Sequence, residues 1–445
     1  MRRPQNAGRH GGRQRPRPEP TVVDGIATRG QPAAVAAIRR MIEGGAPHAL
    51  LVSGPPAVGK TTLALDLAAG LLCLAGDPAA RPCRVCRGCR LVASGNHPDL
   101  HRIVPEGPGL QVRIDAIREL VSDLALLPVE GGARVAIIEA AHRLNEDAQN
   151  ALLKTLEEPP GGVVIVLCTD DEDLLLPTIR SRCARIHLGT VSGREIETWL
   201  AERGIADPPM AARLARLADG RPGLALAYAV SVEAVAARTE IDRTLIDLLD
   251  TGIANRLTRA RGLLTVGRVL ADALDRRGGE PAEPTRRLPA RGRRRAAATT
   301  PAAAVRPVTA AVTPPATAGD RSDATDAPPT ADPAEPAAKV TPAERRRAAA
   351  QLIDVWRDLA VDLSRASLGD ARRLHDPGLL EEIRAAAAAV PQGSLGPFLG
   401  RLARIGEAVD GNANPELAID VLALAWPRSS SAPRSGSSMR SGSAG

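Results

Sequence analysis

Residues Gly54 to Thr61 read Gly-Pro-Pro-Ala-Val-Gly-Lys-Thr, the spacing of a phosphate-binding loop. In such a loop glycines let backbone N–H groups wrap phosphate oxygens, the lysine reaches the terminal phosphates and the hydroxyl helps hold Mg²⁺. Gly54, Gly59, Lys60, Thr61 and the adjacent Thr62 are therefore candidate nucleotide-binding residues. So short a pattern also arises by chance, but its flanks agree with it: Ala49 to Ser53 reads as an apolar strand, and Leu63, Leu67 and Leu71 recur at helical spacing. The chain has only three lysines (Lys60, Lys154, Lys339) against 55 arginines, so a lysine at this position is notable. A phosphate loop uses a compact point charge that a planar guanidinium does not replace, although one of three lysines could fall there by luck. The later apolar run that should end in hydrolytic acids reads Ile137-Ile138-Glu139-Ala140. Glu139 can meet Mg²⁺ through water, or simply face solvent at a strand end, while Ala140 can polarise nothing. The expectation is a chain that holds ATP with Mg²⁺ and shows little or no ATPase activity alone.

Four of the six cysteines fall within 17 residues as Cys73-x9-Cys83-x2-Cys86-x2-Cys89. Two successive C-x2-C steps bring thiolates back to one point, and Cys73 arrives from the end of the helix that follows the phosphate loop, so the set predicts a structural Zn²⁺ knuckle. Four thiolates leave no open position for catalysis. Arg81, Arg84, Arg87 and Arg90 interleave the ligands and offset the charge of such a centre. The alternatives are reduced thiols without metal, or disulfides, which a cytoplasmic chain disfavours. Cys168, in an apolar run, and Cys183 read as packing residues.

The elements that must position these groups alternate. Strands are predicted at Ala49–Ser53, Leu100–Val104, Ala133–Glu139, Val163–Cys168 and Arg185–Leu188, with helices at Thr61–Leu72, Ile114–Leu126, Asn145–Glu157 and Leu174–Arg180. The fold class is therefore α/β: a parallel sheet with its ligand site at the carboxyl ends of the strands, followed by an all-helical remainder. Ser192 with Glu195, and Thr341-Pro342-Ala343-Glu344, read as capping boxes. The organisation expected is a basic N-terminus at 1–24, a nucleotide-binding domain at 25–188 with the knuckle at 73–89, and a small helical lid at 189–230. A helical domain follows in two pieces, 231–274 and 341–427, around a Pro/Ala-rich insert at 275–340, and a Ser/Gly/Arg tail ends the chain at 428–445. The low content of large apolar residues in the insert and both termini predicts disorder there.

The net charge of +7 is carried by those segments: +5 in residues 1–20, +4 in 276–340 and +3 in 428–445, leaving about −5 elsewhere. A basic nucleic-acid face on the folded part is not indicated. No apolar run is long enough to cross a membrane and the Arg/Gly/Pro-rich start lacks a secretory core, so a cytoplasmic protein is expected.

Asn150-Ala151-Leu152-Leu153-Lys154-Thr155-Leu156-Glu157-Glu158-Pro159-Pro160, followed by Leu176-Pro177-Thr178-Ile179-Arg180-Ser181-Arg182-Cys183, closely resembles the clamp-loader subunits of bacterial DNA polymerase III, members of the AAA+ class. With the loop and knuckle, the resemblance covers roughly residues 25 to 230, and the rest loosely through Asn412-Ala413-Asn414-Pro415. It implies an AAA+ module, a helical lid and a helical collar that closes a hetero-pentameric ring with other clamp-loader subunits, acting on a sliding clamp and primed DNA. It also implies that Thr169 senses the terminal phosphate and that Arg182 is an arginine finger reaching a neighbouring subunit's ATP, where a forked permanent cation stabilises the transferring phosphoryl. Without those flanking motifs, Arg182 would be one surface arginine among 55. The motor members carry an adjacent Asp-Glu where this chain has Glu139-Ala140, and a lid arginine where Gly223 stands, with Arg221 two residues earlier. Asn96-His97-Pro98-Asp99 after the knuckle agrees with a non-motor subunit, part of a nucleotidyltransferase holoenzyme without its polymerase site. The alternatives are an ATP-hydrolysing motor of the same ring (tau or gamma type) and, remotely, a zinc-dependent DNA-binding regulator supported only by the basic tails.

Overall fold

The computed structural model describes residues 25–105, 112–130, 132–275 and 340–430. The segments 1–24 and 276–339, and the tail from 431, for which disorder is expected, lie outside the described residues. The first part alternates as expected: α1 (Pro32–Gly44), β1 (Ala49–Ser53), α2 (Lys60–Leu71), α3 (Arg87–Ala93), β2 (Leu100–Ile103), α4 (Ile114–Leu124), β3 (Arg134–Ile138), α5 (Glu146–Glu157), β4 (Val163–Thr169), α6 (Pro177–Arg180) and β5 (Ala184–His187). The five strands form one parallel sheet in the order β2-β3-β4-β1-β5. Strands β1, β3 and β4 are buried along their whole length, which is why they read as continuous apolar runs rather than alternating ones.

Each face of the sheet has its own core. Ile38 of α1 and Leu63 and Leu67 of α2 pack on one face with Leu50, Val52, Val135 and Val166. Ile117, Leu120 and Leu124 of α4 and Leu152 and Leu156 of α5 cover the other with Leu51, Ala136, Ile165 and Leu167. The α2 helix is enclosed far beyond the predicted leucine stripe: Ala64, Ala68 and Ala69 are as buried as Leu63 and Leu67, whereas Leu71 is only partly covered. The helix expected from Leu174 begins at Pro177 instead. Leu176, held extended (φ −54°, ψ 138°) by the following proline, cannot be helical.

The second part is helical: α7 (Gly193–Glu202), α8 (Pro208–Leu217), α9 (Pro222–Val230), α10 (Val232–Asp247), α11 (Ile253–Asp275), α12 (Pro342–Ser367), α13 (Leu380–Ala389), α14 (Leu395–Asp410) and α15 (Pro415–Ala425). One apolar core runs through it from Val191 to Trp426, spanning both the expected lid and the expected collar. At its centre Trp356, Phe398 and Trp426 pack with ring centroids 4.7 to 5.8 Å apart, in tilted and edge-on arrangements. The Thr341–Glu344 capping box is complete. Ser192 accepts the Glu195 N–H as predicted, but its hydroxyl, rather than its backbone, engages the Glu195 carboxylate at 3.1 Å. Two boundaries shift. Asp275 still belongs to α11, and residues 428–430, assigned to the tail by composition, are docked: the Ser429 and Ser430 N–H groups donate to the Leu249 and Ala389 carbonyls at 3.0 and 2.8 Å. No helix among the described residues is long and apolar enough to cross a membrane.

Candidate functional site

The phosphate loop lies at the carboxyl end of β1, between β4 and β5, where parallel sheets place their ligands. Gly54 has φ 143° and passes so close to β5 that a Cβ there would sit 2.1 Å from the Leu188 carbonyl oxygen, so no other residue fits. Gly59, left-handed at φ 105°, forms the N-cap of α2, and Lys60 and Thr61 open that helix with its free N–H groups. The Lys60 ammonium donates to the Gly54 and Pro55 carbonyls at 2.8 and 2.6 Å and pairs with Asp170 at 2.6 Å. Asp170 follows β4, and its backbone N–H donates to His142 Nδ1 at 3.2 Å. Burial lowers the His142 pKa, which favours the neutral ring that accepts this bond.

Thr61 and Glu139 are also brought together, the hydroxyl donating to Oε2 at 3.4 Å. The structure adds a partner that sequence reasoning missed. Arg102 of β2 donates to Glu139 Oε1 at 3.1 Å through Nε, so the acid that accepts the Thr61 hydroxyl already faces a cation. Ala140 next to it is left-handed (φ 53°) and carries nothing that could position water. Thr169 lies beside Ser53 in register, but its hydroxyl is engaged in its own turn, donating to the Asp171 carbonyl at 2.6 Å and accepting the Asp171 N–H at 3.2 Å. Thr62 is exposed on α2.

The lid touches the loop directly. The Gly223 N–H donates to the Ala57 carbonyl at 2.9 Å, and a Cβ at 223 would approach that same oxygen to 2.9 Å. Next to this contact is a cavity of about 540 Å³ lined by Arg29, Gly30, Val191, Trp199, Arg203 and Pro222, among others. Its size and mixed apolar and polar lining suit a planar heterocycle. None of these lining residues carried a sequence signal beyond the Gly220–Gly223 break, because the wall is assembled from α7, the start of α9 and the segment before α1.

Arg182 is elsewhere. It precedes β5, whose first residue pairs with Leu50 near the start of β1, whereas the phosphate loop leaves the other end of β1. The whole length of β5 separates Arg182 from Leu188 at the loop, a span of roughly 15–20 Å at the usual rise per residue. Its guanidinium is half-exposed and is held by the Thr178 carbonyl at 2.9 Å and Glu157 at 2.5 Å. Glu157 belongs to the same Leu-Glu-Glu-Pro-Pro run that drew attention in the sequence.

The four cysteine sulfurs converge, all within 4.8 Å of one another and with Cys73 and Cys86 3.9 Å apart. Metal–sulfur bonds of about 2.3 Å in a tetrahedron place sulfurs about 3.8 Å apart, so the set fits a zinc knuckle and can hold a metal ion. Backbone N–H groups of Cys83, Cys86 and Cys89 each donate to the preceding ligand's sulfur at 3.4 Å. Burial pushes the Cys73 and Cys89 thiols up. At Cys86 burial is outweighed by the N–H groups of Cys89 and Leu74, which bring the thiol down to about 6. A bound cation resolves that disparity by holding all four as thiolates. Burial pushes Cys168 and Cys183 up to about 12 and 11, as packing residues would be. His97 and Asp99 of the Asn-His-Pro-Asp motif are structural too: the buried Asp99 carboxylate accepts the Val129 and Glu130 N–H groups at 2.7 and 2.9 Å.

A phosphate loop at the carboxyl end of β1 in a β2-β3-β4-β1-β5 parallel sheet, with a helical region whose N–H closes on that loop, is an α/β phosphate-loop module with a helical part docked on it. Residues 30–192 match the family described as DNA polymerase III, delta subunit. Over that part the chain is similar to the delta prime subunits of DNA polymerase III: it is 40% identical to that of Pseudomonas aeruginosa over 177 residues and 37% identical to that of Escherichia coli K12 over 180. These alignments cover 39% and 40% of this chain and 53% and 54% of the relatives. The DNA polymerase III tau subunit of Salmonella typhimurium is 40% identical over 178 residues, covering 39% of this chain and 27% of tau. The chain spans about half the length of the delta prime relatives it matches.

Proposed function

We propose that the chain is a non-motor subunit of the DNA polymerase III clamp loader, delta prime in kind, which supplies Arg182 in trans to a neighbouring ATPase subunit while the ring places a sliding clamp on primed DNA. The carrying observation is the position of Arg182: a partly exposed guanidinium at the end of the strands opposite its own phosphate loop, in a motif that matches the family. A cation there is remote from its own chain's loop and would meet a neighbour's nucleotide by exchanging its Glu157 partner for phosphate. The functional modules in this reading are the AAA+ domain at 25–188, the lid at 189–230 and a collar formed by the remaining helices. Zn²⁺ at Cys73, Cys83, Cys86 and Cys89 is structural, and ATP with Mg²⁺ occupies Gly54, Gly59, Lys60, Thr61 and Thr62 without efficient turnover. Thr169 would contact the terminal phosphate only after its hydroxyl leaves Asp171. In a ring reconstituted with its partner subunits, Arg182→Ala is expected to lower ATP turnover on the order of 10³-fold, as loss of a finger does, with assembly intact by gel filtration. Unchanged turnover would remove the assignment.

The second reading, a motor of tau or gamma type, is favoured by the complete phosphate loop and opposed by Ala140 and by the Arg102 cation on Glu139. The chain alone decides it: steady ATP hydrolysis abolished by Lys60→Ala would establish the motor. A zinc-dependent DNA-binding regulator has support only from basic segments outside the described residues.

A further inference from the structure

The cysteine knuckle and the heterocycle-sized cavity share a single carboxylate. We infer that Asp66 and Arg84 couple them, so that the metal-bound knuckle holds in place the segment that walls the cavity, and metal loading thereby sets nucleotide affinity. This rests on the nucleotide-binding reading above.

Asp66 lies on α2 within the helix that begins at Lys60, and it is 1% exposed. Its carboxylate accepts the Ala27 N–H at 3.0 Å, the Thr28 N–H at 2.8 Å and the Thr28 hydroxyl at 2.6 Å. The next two residues, Arg29 and Gly30, line the cavity, and Gly30 abuts Val191 on the opposite wall. A buried carboxylate also needs a counter-charge, and Arg84 provides it with an Nη2 hydrogen bond. Arg84 stands between the ligands Cys83 and Cys86 in a left-handed conformation (φ 61°), and its Nε donates to the Gly25 carbonyl at 2.6 Å. At Gly25 the two segments are in direct apposition: a Cβ there would fall 1.9 Å from the Pro82 carbonyl oxygen.

The turn that presents Arg84 is shaped by the sulfurs. The Cys83 N–H donates to the Cys73 sulfur and the Cys86 N–H to the Cys83 sulfur, both at 3.4 Å. A cation held by Cys83 and Cys86 would pin both ends of the two-residue turn that carries Arg84. Without it the turn rests on these hydrogen bonds alone, Arg84 loses its fixed geometry, and the strap at residues 25–28 loses the support of Arg84. Arg84 and Asp66 are thus positioning residues: neither reaches the phosphate loop, and both act through residues 25–30. By linkage, nucleotide must tighten metal binding by the same factor by which metal tightens nucleotide.

The experiment uses the full-length protein, with a fluorescent methylanthraniloyl ATP as probe, zinc content measured by mass spectrometry, and hydrogen exchange of individual amides. Arg84→Ala is expected to retain one zinc per chain, to bind the probe about tenfold more weakly, and to exchange the Ala27 and Thr28 amides faster. The His375 amide, held by Asp362 in the helical part, should not change, which separates the effect from unfolding. Removing zinc from the unaltered chain with a chelator should reproduce the same pattern, and the probe should slow zinc release from it. Lys60→Ala should abolish probe binding and leave amides 27 and 28 protected. Unaltered exchange at 27 and 28 in both Arg84→Ala and the metal-free chain overturns the coupling. Failure of the unaltered, zinc-loaded chain to bind the probe overturns the nucleotide reading instead, and the exchange data still decide whether knuckle and strap are linked.

Discussion

Charge is buried differently in the two halves of the molecule. In the α/β part, buried ionic groups are held largely by backbone: Asp66 by the amides of 27 and 28, Asp99 by those of 129 and 130, and Lys60 by the carbonyls of 54 and 55. In the helical part Arg256 is also held by backbone carbonyls, but side chain more often meets side chain, as in Arg238 of α10 with Asp358 of α12 at 2.7 Å, Arg213 of α8 with Asp376 at 2.8 Å, and His375 with Asp362 of α12 at 2.7 Å. An ion bound to amides fixes one loop in one shape, which a ligand site requires. An ion shared between helices fixes their mutual orientation, which a scaffold requires. The aromatics divide in the same way, with all five (Trp199, Tyr228, Trp356, Phe398, Trp426) beyond Leu188. Intrinsic tryptophan fluorescence therefore reports the helical half alone.

The largest effect expected is that of Trp356→Ala. Trp356 is fully buried against Phe398 and Trp426, and its removal should cost about 3–5 kcal/mol in urea melts followed by the remaining tryptophans. A loss below about 1 kcal/mol would mean that this cluster does not organise the helical half. Next comes Asp99→Ala, which takes the acceptor from two amides and the carboxylate from the buried Arg134, 3.4 Å away, at about 3 kcal/mol. Its signature should be local: rapid hydrogen exchange at Val129 and Glu130 with little change in the fluorescence-detected midpoint. Equal loss in both observables would show that the halves unfold as one.

Acidity separates the halves by sign. Burial opposes ionisation of Asp99, but the Glu130 and Val129 amides and Arg134 outweigh it and lower its pKa below 3.8. Its stabilisation is present above that value and is lost as pH falls through the depressed one. Burial raises Asp242 to about 7, and the neighbouring Asp376, Asp358 and Asp362 add to the rise against Arg238. Burial alone would lower His375, yet its hydrogen bond to Asp362 and the nearby Asp358 raise it. Both raised groups stabilise at low pH and lose that contribution as pH climbs through their folded values. Between pH 5.5 and 8 the fluorescence-detected stability should fall by about 2 kcal/mol, while protection at amides 129 and 130 stays level. A rise in the fluorescence midpoint over that interval would reverse the assignment.

The two halves also differ in how far the sequence discloses them. The phosphate loop, the knuckle and the strands were legible because each is local: a fixed spacing of unusual residues, or an apolar run of strand length. Arg102 on Glu139, Asp170 on Lys60 and Asp66 on residues 27 and 28 were not, since each joins segments 37 to 110 positions apart and its residue type is ordinary. Thr169, which the family resemblance singles out, closes β4 with its hydroxyl engaged by Asp171, a local bond that no sequence pattern announced. In the helical half, periodicity and caps gave the helices, but nothing local announced that Arg238 would be buried between Asp242 and Asp358 or that residues 428–430 would dock.

The smallest effect belongs to the place where the halves meet. Gly223 begins the lid helix α9 and donates its N–H to Ala57 in the phosphate loop, at a separation that leaves no room for a side chain. Gly223→Ala should therefore displace the start of α9 by a few tenths of an ångström and weaken one hydrogen bond, at about 1 kcal/mol. Neither core is touched, so the fluorescence midpoint and the 129–130 amides should remain where they are. The Gly223 amide itself should exchange faster, and the affinity for methylanthraniloyl ATP should change because Pro222 lines the cavity and Ala57 the loop. Tighter binding would mean that the contact restrains the loop in a closed form that nucleotide must open; weaker binding would mean that it completes the site. Unchanged exchange at Gly223 would remove the contact as a link between the halves, and the division between an amide-fixed site and an ion-paired scaffold would then be complete.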